Sequence, residues 1–520
     1  MKSKCFRYMA AGLSVCLACV GVGCGNAMQP EVSKLPEEAA LEEIAKGSVN
    51  SGGSLHDPQV ILGDDGTYYC YGTHMTAATS TDLVKWNSWA DGVKGSNKIF
   101  DNLIAEPYDA FSFVGKNEQN GYSVWAPSVI YNKTTGKYMM YFCTTSSYIK
   151  SNIVMATSDN IGGPYHYEKT LICSGFTKKD LELTNFTEIV GNDAATRQRY
   201  IVGGAFNNQL WPNAIDPAMF YDKDDRLWMV YGSWSGGIFI LELDKETGEP
   251  IHPETDDDNE VDAYFGKRLI GGGHHSIEGP YIHYDRNTGY YYLFLSYGNL
   301  QTDGGYQIRV LRSENPDGPY VDAKGSSLGI KGELDKYADY GIKLMGNYTL
   351  PSLNVTYMAP GGQSTFEGAD GKLYIVYHQR FKDKGEYHAV RVHQMAMNED
   401  GWPCVFPFAT NGESLSEEGY GQKDVNGTFY VVDHGLEINN LVNEPKECHF
   451  ENGQITGDIS GTYEVKEGTN YITVTLGDAT FKGIMVEMKD EAGNNTFCFS
   501  ADGDNNHTIW GVRYGKTGNQ

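Results

Sequence analysis

An all-β fold, a five-bladed β-propeller followed by a small antiparallel barrel or sandwich, is predicted by three features of this chain. A short apolar strand, a tight polar turn and an aromatic-rich strand recur in that order five times between about residues 50 and 405. Glycine and aspartate punctuate the strands, and 62 glycines with 36 tyrosines suit aromatic strands joined by tight turns. Beyond residue 408 the repeat stops, while alternating strands and Gly/Asp/Asn turns continue over 428–432, 471–476 and 483–488.

The repeats open, in order, at Asp57-Pro58, Ala126-Pro127, Asp216-Pro217, Glu278-Gly279-Pro280 and Gly362-Gln363-Ser364. Their aromatic strands follow at 66–71, 136–141, 227–231, 289–294 and 371–377. Third strands are expected at 153–157, 237–243 and 307–311, and Gly163-Pro164-Tyr165 and Gly318-Pro319-Tyr320 close two of the units. At roughly 70 residues each, the repeats exceed the ~40–50 of compact propeller units. The surplus is expected as long loops over 87–123, 172–213 and 322–358, shaping a cleft. The first strand of a blade lies nearest the axis, so Asp57, Asp216 and Glu278 should converge at one mouth of the channel. Three carboxyl groups meeting from separate repeats point to an enzyme.

The remaining segments set compartment and partners. Lys2, Lys4 and Arg7 precede an apolar run from Met9 to Val22, a secretory signal too short to span a membrane comfortably. Val20-Gly21-Val22-Gly23-Cys24 is similar to a bacterial lipobox with Gly21 where Leu is usual, and Cys19 is the rival site. Domains are therefore expected as a signal over 1–24, a tether over 25–48 with an acidic helical stretch from Pro36 to Lys46, a propeller over 49–407 and a β-domain over 408–520. A secreted protein or surface lipoprotein follows, with a lipid at the N-terminus as its single link to a membrane. The net charge of -26 argues against nucleic acid and anionic surfaces, leaving a neutral ligand as the better fit. The cysteines show no metal-ligand spacing, and Cys448 with Cys498 is a candidate disulfide.

Two carboxyl groups across a pocket can hydrolyse a glycosidic bond, one ionised as base or nucleophile and one protonated as acid. A third carboxylate raises the acid's pKa by repulsion. At this point the motifs gather into a family likeness. His56-Asp57-Pro58, Asn213-Ala214-Ile215-Asp216-Pro217, Ile277-Glu278-Gly279-Pro280-Tyr281, the run 80–86 and Trp125-Ala126-Pro127 together resemble glycoside hydrolase family 43 over residues 50–405. The 376–380 and 387–395 phrases, with Asp400-Gly401-Trp402-Pro403, resemble its arabinan-degrading members, some of which carry a C-terminal β-domain. One phrase departs: Pro360-Gly361-Gly362-Gln363-Ser364 stands where the family has Pro-Gly-His-Asn-Ser, and Gly272-Gly273-His274-His275 before the acid motif is unusual.

The resemblance implies an inverting endo-α-1,5-arabinanase acting on a neutral plant polysaccharide. Asp57 is then the general base, Glu278 the general acid, and Asp216 the group that keeps Glu278 protonated and placed. Inversion calls for Asp57 and Glu278 carboxyls about 6.5–9.5 Å apart. The resemblance also implies a calcium ion in the axial channel beside His378, and no organic cofactor. Trp125, whose ring face suits a sugar, and the motif neighbours His56 and Asn213 are the candidate substrate contacts. A monomer is expected. On the same residues an exo-acting α-L-arabinofuranosidase or β-xylosidase is the nearest alternative, and a propeller that merely binds glycans is the alternative from another class.

Overall fold

The computed structural model describes residues 35–48, 52–106, 108–329 and 332–516, so the apolar run Met9–Val22 and Cys24 lie outside the described residues. Five antiparallel sheets follow one another along the chain and surround a common axis. Their inner strands are Gln59–Leu62, Ser123–Asn132, Ala218–Tyr221, Ile277–Tyr284 and Tyr357–Glu367. Each hairpin from the inner to the second strand turns through a residue at positive φ. These are Gly66 (79°), Gly136 (69°), Asp225 (59°), Gly289 (76°) and Gly371 (72°), which is why Gly and Asp recur at this point of the repeat.

Blade strands are packed on both faces, so they read as apolar and aromatic runs rather than as clean alternation. In blade 2, all eight residues of Ser151–Ser158 are buried. Among the described residues no strand is exchanged between the first and last blades. The ring is closed instead by a shared core in which Val60, Cys70 and Trp86 of blade 1 pack with Val376, Val390 and Val392 of blade 5. Ser364 Oγ adds a hydrogen bond to the Pro58 carbonyl at 2.9 Å.

The expected long loops are partly structured. Asn87–Ala90 and Ile342–Met345 are the outer strands of blades 1 and 4. The 172–213 segment carries the helices Phe186–Val190 and Ala194–Tyr200. The C-terminal β-domain is a closed eight-stranded antiparallel barrel whose first strand, Gly427–Asp433, pairs with its last, Thr508–Gly515. Its interior is filled by Phe429, Phe450, Tyr463, Phe481, Phe497 and Phe499, so it is a packed core rather than a ligand chamber. Cys448 and Cys498 are both free, buried thiols there, and the disulfide expected between them is not formed.

Barrel and propeller share one hydrophobic core. Ile308, Tyr357 and Phe406 of the propeller side pack with Val432, Val486, Trp510 and Val512 of the barrel. The described part of the expected tether is docked against this unit rather than free. Ala39 N–H donates to Tyr514 O at 2.9 Å, Gly47 N–H to Ser352 O at 2.9 Å, and Ile44 is buried. In place of the helical stretch from Pro36 to Lys46 there is one 3₁₀ turn, Leu41–Glu43. Backbone groups of this strap bond to the barrel edge and to the connection between blades 4 and 5, leaving no run of local bonds for a helix.

Candidate active site

At one mouth of the axis lies a cavity of about 740 Å³ walled by residues of all five blades, among them Asp57, Trp125, Asp216, Glu278 and Gly362. Each inner strand has a residue in the left-handed region near this mouth, within it or just before its start: Asp57 (φ 50°), Ala126 (42°), Asp216 (56°), Gly279 (58°) and Gly362 (58°), with Ala359 (48°) a second one in blade 5. Such conformations are costly for Asp and Ala and collect where the chain must aim a side chain. The bend corrects the repeat alignment by one position. Asp57 and Asp216 are at the bend, but in blade 4 that place belongs to Gly279, and Glu278 precedes it. Glu278 thus shares its register with His56 and Trp125, and its carboxyl meets a different set of donors.

Asp57 is held as an anion. Its Oδ2 accepts from Thr73 Oγ1 at 2.6 Å and from His56 Nδ1 at 2.8 Å. Arg380, which can only donate, sits 3.2 Å from His56 Nε2, so that nitrogen accepts and Nδ1 carries the proton toward Asp57. Burial alone would raise this carboxyl, but His56, Thr73 and Arg380 outweigh it and bring it below the usual range.

Glu278 and Asp216 behave oppositely. Burial pushes Glu278 up and the Asp57 charge adds to this, against hydrogen bonds from Tyr306, Ser233 and Trp234. Tyr306 O–H donates to Oε1 at 2.7 Å, and Ser233 Oγ and Trp234 Nε1 each donate to Oε2 at 2.9 Å. Asp216 is raised well above its ordinary value by burial and by the Glu278 and Asp57 charges, with one donor, Gly279 N–H at 3.2 Å, in relief. Two crowded carboxyls of this kind titrate as a pair, each opposing the ionisation of the other. A carboxyl whose folded pKa lies above its unfolded value costs stability once pH rises past the unfolded value. Asp216→Asn is therefore expected to raise the melting temperature at pH 7 while cutting turnover by on the order of 10²-fold. Unchanged turnover or a lower melting point would contradict this reading of the pair.

The departing phrase in blade 5 has a clear consequence. A Cβ on Gly362 would lie 2.4 Å from Asp57 Oδ1 and 2.8 Å from His378 Nδ1, so this cradle admits no side chain. Gln363 uses its amide to join blades 4 and 5, accepting from Ser296 Oγ at 2.7 Å and donating to Gly279 O at 2.8 Å. We expect Gly362→Ala to lower kcat by on the order of 10²-fold by displacing Asp57. A kcat within twofold of wild type would show that the cradle yields.

The other predicted residues fall as follows. Trp125 and His56 both line the cavity. Asn213 borders it too, but its amide is committed to Ser174 Oγ at 3.1 Å and Tyr148 O at 2.6 Å, so it supports the wall. Of the long loops, the 322–358 segment contributes nothing to the cavity wall among the described residues, whereas the unanticipated Asn299, Leu300 and Gln301 do. Thr73, Ser233, Trp234 and Tyr306 were not anticipated either. A signal existed for some of them: Tyr71-Gly72-Thr73, Tyr231-Gly232-Ser233 and Tyr297-Gly298-Asn299 end the second strand in three repeats. His274, from the unusual glycine-histidine run, lines the cavity beside Trp234.

His378 is fully buried, stacked on His56 at 3.9 Å, and burial, with the Arg380 guanidinium and the His56 and His388 rings close by, holds it well below the usual histidine range. Its Nδ1 faces Asp57, 3.8 Å from Oδ1, and its Nε2 has no hydrogen-bond partner among the described residues. Nδ1 accepts from the Asp57 backbone N–H at 3.3 Å, so the buried Nε2 is the ring nitrogen that stands without a protein partner among the described residues. His56, Asp57 and His378 offer ligand atoms within 4.8 Å of one another. The residues fit a cation that takes one imidazole nitrogen and completes its shell with water oxygens.

With this geometry in place, comparison with known proteins is informative. Residues 194–403 match the model of glycosyl hydrolases family 43, and residues 407–511 match a C-terminal lipocalin-like domain. The chain is 36% identical to the extracellular endo-α-(1→5)-L-arabinanase 2 of Bacillus subtilis, over 88% of this chain and 93% of that protein. It is also 36% identical to the extracellular endo-α-(1→5)-L-arabinanase of Thermotoga petrophila, with the same shares covered. The crystal structure of a Thermotoga petrophila endo-1,5-α-L-arabinanase superposes with a TM-score of 0.76 at 34% identity, covering 92% of this chain and 100% of that one. A family 43 glycoside hydrolase from Bacillus licheniformis gives 0.77 at 37% identity, covering 89% and 99%. The shared architecture spans propeller and barrel alike, and the chain belongs to glycoside hydrolase family 43.

Proposed function

We propose that this enzyme is an endo-α-1,5-L-arabinanase that cleaves arabinan with inversion. The observation that carries the reading is the opposite tuning of carboxyls facing one cavity. Asp57 is held below the usual carboxylate range, while Glu278 and Asp216 are pushed above theirs. Asp57 takes the proton from a water on one face of the arabinofuranose, and Glu278 gives its proton to the departing oxygen on the other. Asp216 then acts through Glu278, its charge opposing the loss of that proton. Trp125 offers a ring face to the sugar, and His56 orients Asp57.

His378 is the residue that would hold a calcium ion. Such an ion supplies fixed positive charge beside Asp57 and the attacking water. The names of the similar arabinanases describe extracellular enzymes, which supports secretion of this chain, with lipid attachment at Cys24 as our proposal for its retention at the surface.

The test is the early product profile from debranched arabinan, using protein that begins after residue 24. A ladder of mixed oligosaccharides is expected; arabinose alone, or one fixed short oligomer, would replace the endo reading with an exo one. The pH profile of kcat/KM should be bell-shaped. It falls on the acid side as Asp57 protonates below the usual carboxylate range, and on the basic side as the Glu278/Asp216 pair loses its proton above that range.

A further inference from the structure

The barrel reaches the active site from behind. Its loop 434–445, between the strands Gly427–Asp433 and Lys446–Glu451, runs along the start of the third strand of blade 4, Gln307–Ser313. Blade 4 and the segment after it supply donors to the loop's carbonyl groups. The buried Arg309 guanidinium donates to Leu436 O, and Lys343 Nζ and Gln307 Nε2 donate to Glu437 O at 3.0 and 3.3 Å. Asn347 Nδ2 donates to Leu441 O at 3.1 Å, and Asn443 N–H donates to Asn347 O at 3.1 Å. Between these anchors the loop backbone lies flat on Gly305, where a Cβ would come within 2.7 Å of Asn439. Val442 packs into a small cluster with Tyr306, Met358, Ala359 and Leu300.

Tyr306 is the residue whose phenol donates to Glu278 Oε1, and Leu300 borders the cavity. The turn that carries them contains Gly298 at φ 90° and Gly304-Gly305, with Gly305 at φ 71°. Glycine gives such a turn little stiffness of its own. Its position must come from what packs against it: the 385–386 turn of blade 5, to which Thr302 bonds, and, at Gly305 and Tyr306, the barrel loop.

We propose that the 434–445 loop of the barrel is a positioning element of the hydrolytic site, holding Tyr306 against Glu278 and the 299–301 wall against the cavity. The inference rests on the hydrolase reading above and assigns the C-terminal domain a part in it. Tyr306 stabilises the Glu278 anion through its hydrogen bond. Loss of that bond raises Glu278 further, so the basic limb of the pH profile moves to higher pH.

The test uses the full secreted chain. Val442→Ala is expected to lower kcat on arabino-oligosaccharides about tenfold with KM within about twofold. It should also shift the basic limb upward, as Tyr306→Phe does, and the double variant should match Tyr306→Phe because both act through one contact. Val442→Ile should restore wild-type values. Hydrogen exchange read by mass spectrometry should quicken over 299–307 in Val442→Ala and stay unchanged over 68–80 in blade 1. Unchanged exchange, quickened exchange with unaltered kcat and pH profile, or full additivity with Tyr306→Phe would each overturn the proposal. Absence of arabinan cleavage in the wild type would discard the functional reading instead, and the exchange result would still decide whether the loop holds the turn.

Discussion

Glu278→Gln is expected to reduce arabinan hydrolysis by about 10²–10⁴-fold with the fold intact. Gln has nearly the same shape, and its amide oxygen can accept from Ser233 and Trp234 where Oε2 does now, with its NH2 facing the Tyr306 oxygen. What it cannot do is release a proton to the departing oxygen. Asp57→Asn should lose as much for a different reason, since an amide cannot take the proton from water. The two are separable with an aryl arabino-oligoside whose phenol is acidic enough to leave unaided. Glu278→Gln should recover most of its rate on that substrate and Asp57→Asn should not. Wild-type rates on arabinan in either variant would remove that residue from the mechanism, and equal rates on the aryl substrate would remove the distinction between acid and base.

The second large effect concerns stability. Arg391, on the third strand of blade 5, is fully buried and pairs with Glu491 of the barrel, itself 6% exposed at the side chain. A second guanidinium nitrogen of Arg391 donates to Tyr348 Oη at 2.8 Å. Glu491→Ala leaves a buried cation without its counter-charge, a change that costs about 3–5 kcal/mol. Replacing both partners by apolar residues, as in Arg391→Met with Glu491→Leu, should recover much of that loss, because nothing charged then remains buried. Chemical denaturation of the three variants checks this. A Glu491→Ala protein as stable as wild type would mean that Arg391 finds other partners and that the pair does not join the domains.

These two expectations differ in where they could be read. The propeller was legible because its blades repeat: five hairpins with Gly or Asp at one turn, and aromatic strands buried on both faces, leave a periodic trace in the sequence. Asp57, Asp216 and Glu278 were legible as carboxyls placed near the start of inner strands, and their family motifs strengthened that reading. The barrel followed from alternating strands, although closure over sandwich pairing did not, since the bond between its first and last strands joins residues about eighty apart.

By itself the sequence determined the class of fold, the three carboxyls and the family chemistry, because each is written in local pattern and repeat register. Tertiary structure alone decided the rest. It placed Gly279 rather than Glu278 at the bend of blade 4, left Cys448 and Cys498 unpaired and docked residues 35–48 of the expected tether. It also supplied Thr73, Ser233, Trp234 and Tyr306 as the donors that tune the carboxyls. The physical reason is common to all of these. Side-chain hydrogen bonds and desolvation act over a few ångströms in space, whatever the separation along the chain, and a residue's own neighbours in sequence do not record them.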